Sequence, residues 1–448
     1  MRALLPHRVR RVASRVSWTV VDQVLSALSN VVLSILVARS FDAAGFGAFS
    51  TAFLVFSLLV GITRAVVGEP LQITFASADP GNFRAAVRSA LGAALLIGTL
   101  SGLIAVGAGL ALAGQSGEAL IALGACLPGL LVQDTCRMAF FSSGRPRNAA
   151  AIDALWTVLM FAVLAALLTA GISAIWVPVA TWGAGALAAA IVGTVLLRAA
   201  PRLRGAIGWM LAQRRLTGYL LAEYVLGQGI AQVGILMVAV IGSEAGVGAL
   251  RAAQVLLGPL NILGAAAFMF AVPEIARRPS MSQRTKGWIT VGVSASMATA
   301  TAIYCGILLF IPDSLGEKLL GDTWTGAQAV LLPMCVLSFS AALATGPVAT
   351  LYGIGLAKVT FWVNIIKTPL LIVLMLVGIP LYGAPGAAWA IAVTETVLLP
   401  LWYLRVRTAL RSPGVAPKGP PTNVGEPPAA GELGLNITPI PTTDETRS

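Results

Sequence analysis

The chain alternates long apolar runs with short polar, glycine- and proline-rich clusters. Twelve runs predict helices, at 17–38, 45–63, 89–112, 119–140, 149–170, 174–197, 218–241, 247–271, 288–311, 327–351, 359–379 and 384–404. Each is close to the ~20 residues that cross a bilayer as a helix. The pattern is that of an all-α polytopic membrane protein.

The first two runs form a hairpin, and its design returns one half-chain later. Shifted by 201 positions, LVARSFDAAGFGAF (Leu36–Phe49) lies over MVAVIGSEAGVGAL (Met237–Leu250). Val37, Ala38, Ala44, Gly45, Gly47 and Ala48 meet identical residues, and Asp22 falls on Glu223. Agreement at one offset, with an acid on an acid, indicates an internal repeat. Such repeats are characteristic of transporter folds, whose sites lie where the repeats meet.

Composition and charge sharpen this picture. Of 448 residues, 57% are hydrophobic and 11% charged, with mean hydropathy +0.86; a soluble domain carries about 25% charged residues. The net charge of +12 sits mainly in short loops rather than in a nucleic-acid-binding pattern. With the first residues inside, alternate loops hold nearly all the arginines. The opposite loops hold only Arg39 and Lys318 beside six acids. The basic bias of cytoplasmic loops then places both ends in the cytoplasm of a multi-pass protein of the plasma membrane. The basic start, Arg2 to Arg15, precedes a run too long and polar-spotted for a cleaved signal and is read as leading into a retained span. The expected organisation is a basic arm (1–16), an N-terminal half (17–197), a basic linker (198–217), a C-terminal half (218–404) and a Pro-rich tail (405–448) too poor in apolar residues to fold. In the linker, Leu203, Ile207, Met210 and Leu211 can line one face of a short surface helix, with arginines opposite.

Candidate functional residues are the charges inside the spans. An ionisable group at mid-bilayer costs about 2.5–3.5 kcal/mol on insertion scales. The sequence holds Asp22, Asp134, Asp153, Glu223, Arg251, Lys367 and Glu395 in spans, with Arg64 and Glu69 at the inner end of the second. Counted at ~1.5 Å per residue, most fall in the cytoplasmic leaflet, and Arg251 lies toward the other side. As a set they predict a hydrated vestibule between the halves, with cations available to an anionic head group. Asp134 and Glu395 read better as helix-end anchors. Pro259–Leu260–Asn261 is the best candidate for a working kink, and Gly98-x-x-x-Gly102 reads as helix packing.

Chemistry is otherwise missing from the sequence. It has no phosphate-binding Walker loop. Its single histidine, His7, excludes a histidine-based catalytic or zinc centre, and its four cysteines have no metal-site spacing. No enzyme activity or cofactor is expected. The paired acids suggest coupling to H+ or Na+.

The segment LSNVVLSILVARSFDAAGFGAFSTAF (Leu28–Phe53) resembles the first-hairpin signature of polysaccharide flippases of the multidrug/oligosaccharidyl-lipid/polysaccharide exporter (MOP) superfamily. LLGDTWTGAQAVLLPMC (Leu319–Cys335) and LYGIG (Leu351–Gly355) are similar to the segments flanking those proteins' tenth span. The resemblance implies two pseudo-twofold-related six-helix bundles. It also implies alternating access that moves an undecaprenyl-pyrophosphate-linked oligosaccharide between leaflets for polysaccharide biosynthesis, among membrane lipids and polysaccharide-assembly proteins and without nucleic acid. On this reading Arg64, Arg251 and Lys367 meet phosphates, while Asp22, Glu69, Asp153 and Glu223 bind a coupling ion or gate the halves. The rival readings are an ion-coupled exporter of small cationic drugs or metabolites on the same fold, and a non-transport protein of envelope assembly. A membrane enzyme fits less well, because the outer loops are too short to form an acceptor domain.

Overall fold

The computed structural model describes residues 7–172, 174–276 and 281–411. Among the described residues the chain is helical, with no strand. The helices are α1 (His7–Ser40), α2 (Ala43–Phe75), α3 (Pro80–Ala111), α4 (Gln115–Ser142), α5 (Pro146–Thr169) and α6 (Trp176–Leu197). A short linker helix α7 (Ala206–Ala212) leads to α8 (Arg214–Gly242), α9 (Glu244–Leu256) and α10 (Gly258–Ala276). Then come α11 (Gln283–Leu309), α12 (Asp313–Leu320), α13 (Trp324–Gly353) and α14 (Ala357–Arg411). Among the described residues, eleven stretches are long and apolar enough to cross a bilayer, and the last folds into two. Gly383 takes φ 60°, ψ −133°, and the chain doubles back until a Cβ on Gly386 would stand 1.9 Å from the Gly378 carbonyl oxygen. The result is an all-α polytopic membrane fold of twelve passes. α14 runs on to Arg411, and the rest of the expected tail lies outside the described residues.

Two lobes form, residues 7–197 and 214–411, and the internal repeat is visible in their local geometry. Asp42 caps α2 by accepting the Gly45 amide; Ser243, 201 positions on, caps α9 by accepting the Gly246 amide. A side-chain oxygen at this position satisfies a backbone N–H left over at the helix start. The kink expected near Pro259 is present: helix geometry breaks at Leu257, one residue before Gly258–Pro259, and separates α9 from α10. Proline lacks the N–H needed to continue the ladder. Gly98 and Gly102 pack α3 against α4, where added Cβ atoms would stand 2.7 Å from Pro128 Cα and 2.4 Å from the Gly124 carbonyl oxygen.

The lobes meet mainly along α2, against α9 and the start of α8. At the end away from the chain start, α2 and α9 touch backbone to backbone, because a Cβ on Gly47 would stand 2.0 Å from the Glu244 carbonyl oxygen. An apolar cluster crosses the seam there, joining Phe46 and Phe49 to Ala252, Trp324 and Ala327. Deeper in, the Tyr224 hydroxyl donates to the carbonyls of Ser57 and Leu58 at 3.2 and 3.3 Å, and its ring fills the notch over Gly61.

The second span differs from expectation. It does not end near Ile62. α2 continues through a π turn, Arg64–Gly68, to Phe75, so Arg64 and Glu69 lie within a helix. A π turn inserts an extra residue and re-aims the side chains after it. The charge at Arg64 is tolerated because it has a partner.

Candidate functional site

Five charged side chains interlock inside the N-lobe. Arg64 on α2 clasps Asp134 on α4 with two parallel bonds, Nε to Oδ2 at 2.8 Å and a terminal nitrogen to Oδ1 at 2.6 Å. One turn along α4, Arg137 donates to Asp22 on α1 at 2.9 and 2.5 Å, and its Nε lies 3.2 Å from Asp153 on α5. Asp134 stands 3.9 Å from Arg137, and Gln133 donates to Asp153 at 2.7 Å. Asp22, Asp134, Arg137 and Asp153 are all buried, whereas the Arg64 side chain keeps 38% exposure. Three carboxylates thus face two guanidiniums, a deficit of one positive charge. Burying an uncompensated charge is costly. Oδ1 of Asp22 is buried without a hydrogen-bond partner. Beside this network lies a cavity of about 20 Å³, lined by Ser26, Ser29, Asn30, Asp153, Thr157 and Trp182 among others; that is room for one water-sized occupant.

The C-lobe is wired differently. Lys367 and Glu395, on the two arms of α14, form an ion pair of their own. Glu223 on α8 accepts from the Tyr352 hydroxyl on α13 at 3.0 Å. In both lobes, then, the acid on the first helix meets a partner on the fourth: Asp22 meets Arg137, and Glu223 meets Tyr352.

At the seam, Arg251 of α9 reaches across to the N-lobe and lies over the Phe53 ring, 3.8 Å from its centroid. Its Nε is buried with no hydrogen-bond partner, and no carboxylate pairs with it among the described residues. Phe53 stacks on Trp182 at 5.6 Å, and Trp182 on Trp156 at 6.2 Å. Trp156 donates to the Trp182 carbonyl at 2.7 Å and lines the cavity beside Asp153. An unbroken aromatic chain therefore links the seam to the charge network. Glu69, half-buried after the π turn, is within electrostatic range of Arg64 and of Glu223 in the other lobe.

The candidate residues do not converge on one vestibule. Asp22, Asp153 and Arg64 join the N-lobe network, Lys367 the C-lobe pair, and Arg251, Glu69 and Glu223 line the seam. Asp134 and Glu395, expected as helix-end anchors, are ion-pair partners instead. Arg137 and Gln133 are central to the network and were not singled out by sequence. Their signal was there, since Gln133, Asp134 and Arg137 put three polar residues within one apolar span. Neither Arg64 nor Arg137 is a free loop charge, so the topology signal rests on the other basic residues.

No family model matches the chain, and no curated protein matches it in sequence. In structure it is similar to the lipid II flippase MurJ in an inward closed conformation, with TM-score 0.68 at 12% identity over 87% of each chain. It is also similar to an outward-facing multidrug resistance MATE family transporter of the MOP superfamily, with TM-score 0.60 at 14% identity over 90% of this chain and 96% of that one. A MOP superfamily transporter from Pyrococcus furiosus, described by the reverse polarity of its binding pocket, gives TM-score 0.56 at 13% identity over 89% and 95%. At these identities the likeness establishes the fold, which is that of MOP superfamily transporters.

Proposed function

We propose that this protein is an alternating-access flippase for a lipid-linked anionic oligosaccharide, of the undecaprenyl-pyrophosphate type, in the cytoplasmic membrane. The observation that carries the proposal is Arg251: a cation at the junction of the lobes, with a buried unpartnered Nε and no carboxylate beside it. A guanidinium so placed suits a phosphate, which it binds by charge-assisted, paired hydrogen bonds. Arg64, bonded to Asp134 yet more than one third exposed, and Lys367 extend the cationic set. Uncharged amides suited to sugar hydroxyls lie near the lobe crossing: Val31 of α1 packs on Gly258 of α10, next to Asn30 and close to Asn261. The fold supports the transport class, and the MurJ likeness supports a lipid-linked cargo.

The N-lobe network supplies the coupling step in this proposal. Its missing positive charge is met by H+ or Na+ beside Asp22 and Asp153. The aromatic chain through Trp156, Trp182 and Phe53 transmits occupancy to the seam, where Glu69 and Glu223 act as gating acids. Polysaccharide-assembly proteins are the expected partners, and the basic end faces the cytoplasm.

One observation favours a second reading. Glu69 and Glu223 lie within electrostatic range of each other across the seam, and paired acids suit an exporter of small cations. Two assays separate the readings. Arg251→Ala slows glycan export about 10- to 100-fold at equal expression if the cargo is anionic, and leaves it unchanged if Arg251 meets no phosphate. Cells carrying the wild-type protein extrude cationic dyes only on the second reading.

A further inference from the structure

The segment joining the lobes is held as a shelf on the N-lobe. The Arg202 amide donates to the Arg88 carbonyl on α3 at 2.9 Å, and a Cβ on Gly92 would stand 2.0 Å from the Arg202 carbonyl oxygen. Trp209 stacks on Phe75 of α2 with centroids 6.3 Å apart, Ala206 is fully buried, and Thr74 donates to Gln213 at 3.3 Å. Ala206, Trp209 and Gln213 therefore make the docked face.

The other face is apolar and uncovered. Ile207 and Leu211, each 57% exposed, stand four residues apart on α7 and share one face of it; Leu203, 56% exposed, lies in the stretch that leads into the helix. They lie at the end of the molecule where Trp288 and Trp362, 67% and 62% exposed, mark the starts of α11 and α14. Exposed tryptophans at helix ends mark the lipid–water boundary. Around the apolar face, Arg202, Arg204, Arg214 and Arg215 are exposed, residues 198–217 contain no acid, and none of these arginines is in an ion pair among the described residues. A docked back, a greasy front and unpaired guanidiniums at the interface together define a surface that lies in a membrane plane.

We propose that the interlobe shelf is a binding site for anionic phospholipids of the leaflet at the basic end. Leu203, Ile207 and Leu211 seat among acyl chains, and the arginines hold lipid phosphates. Each basic side chain near an anionic surface adds to the attraction, so several together select anionic over zwitterionic lipid. Because the shelf joins α6 to α8, bound lipid also anchors the first helix of the C-lobe.

The test uses the full chain in nanodiscs, with a bimane label on Ile207→Cys and label bound by the native cysteines subtracted. Spin-labelled phosphatidylglycerol and spin-labelled phosphatidylcholine are compared at equal mole fraction. The expected result is stronger quenching by the glycerol lipid, equivalent to about fivefold enrichment or more. The preference should vanish when Arg202, Arg204, Arg214 and Arg215 are changed to Gln, and should weaken for the unaltered shelf when salt rises from about 0.05 M to 0.5 M. Equal quenching by the two lipids, or a preference indifferent to salt, overturns the anionic-lipid site. Quenching by aqueous iodide exceeding that by either lipid overturns the seating of the shelf in the leaflet.

Discussion

Gly47 of α2 and Gly248 of α9 hold equivalent places in the two repeats, 201 positions apart, and pack against each other across the seam, where a Cβ on Gly248 would stand 3.1 Å from the Gly47 amide nitrogen. Two equivalent positions that touch one another must flank the symmetry axis. The seam therefore closes on its own axis, where a small change of side-chain volume acts on both lobes at once.

That geometry gives the first prediction. Gly47→Val drives a side chain into the Glu244 carbonyl, 2.0 Å from where its Cβ must sit. Spin labels on the α2 and α9 starts should report a longer distance, with the lobes held apart at that end. Gly107→Val, where nothing lies within 4 Å, should leave the distance unchanged. Equal distances in the two variants would mean that the seam does not depend on this contact.

The N-lobe network gives a second. Removing one partner of a buried ion pair costs about 3–5 kcal/mol, because the other charge is stranded. Arg137→Ala strands Asp22 and Asp153, and should lower the melting temperature in detergent more than any single carboxylate replacement. Arg137→Gln combined with Asp22→Asn should cost clearly less than the sum of the two single changes, since the pair acts as a unit. Additive losses would show that the contacts are not coupled.

The C-lobe pair divides structure from transport. Lys367→Met alone leaves Glu395 partly buried and uncompensated; Lys367→Met with Glu395→Gln removes both charges and should recover most of the lost stability. If Lys367 also meets cargo phosphate, export by the double variant stays low although the protein folds. Full recovery of export would confine Lys367 to a structural role.

The contact between Arg251 and Phe53 predicts a modest, separable effect. Phe53→Leu keeps an apolar side chain but removes the ring face, whose attraction for a guanidinium contributes about 0.5–2 kcal/mol. It also cuts the aromatic chain to Trp182. Transport should fall while thermal stability changes by less than in Arg137→Ala. A drop in stability matching that of Arg137→Ala would make the ring a core residue only.

Much of this architecture was legible in the residues. Runs of apolar side chains fixed the passes, because a helix in hydrocarbon must satisfy its own backbone. The repeat was readable from Gly45, Gly47 and their echoes, since close backbone approach admits little but glycine. The network was harder to see. Arg64 and Asp134 are 70 positions apart, and hydropathy does not say which helices are neighbours. Arg137 sits near the end of its span, where a charge can reach the interface; only its burial between Asp22 and Asp153 reveals it as the hub. The π turn at Arg64–Gly68 leaves no mark on apolar periodicity, so α2 was expected to stop too early. In the linker, Ile207 and Leu211 do share an open face, but Leu203 precedes the helix and Met210 packs against the N-lobe core, and the docking role of Trp209 depended on Phe75, a partner the linker's own sequence does not contain.

The central claim is that Arg251, a cation at the lobe seam, serves the movement of an anionic lipid-linked saccharide. It is tested most directly in proteoliposomes loaded with a fluorescent undecaprenyl-pyrophosphate oligosaccharide, by following its arrival in the opposite leaflet. The wild-type protein should translocate it, and Arg251→Ala should be slower by about 10- to 100-fold, the value of one hydrogen-bonded charge contact. Equal rates for the two proteins, in vesicles where the wild type is active, would contradict the account.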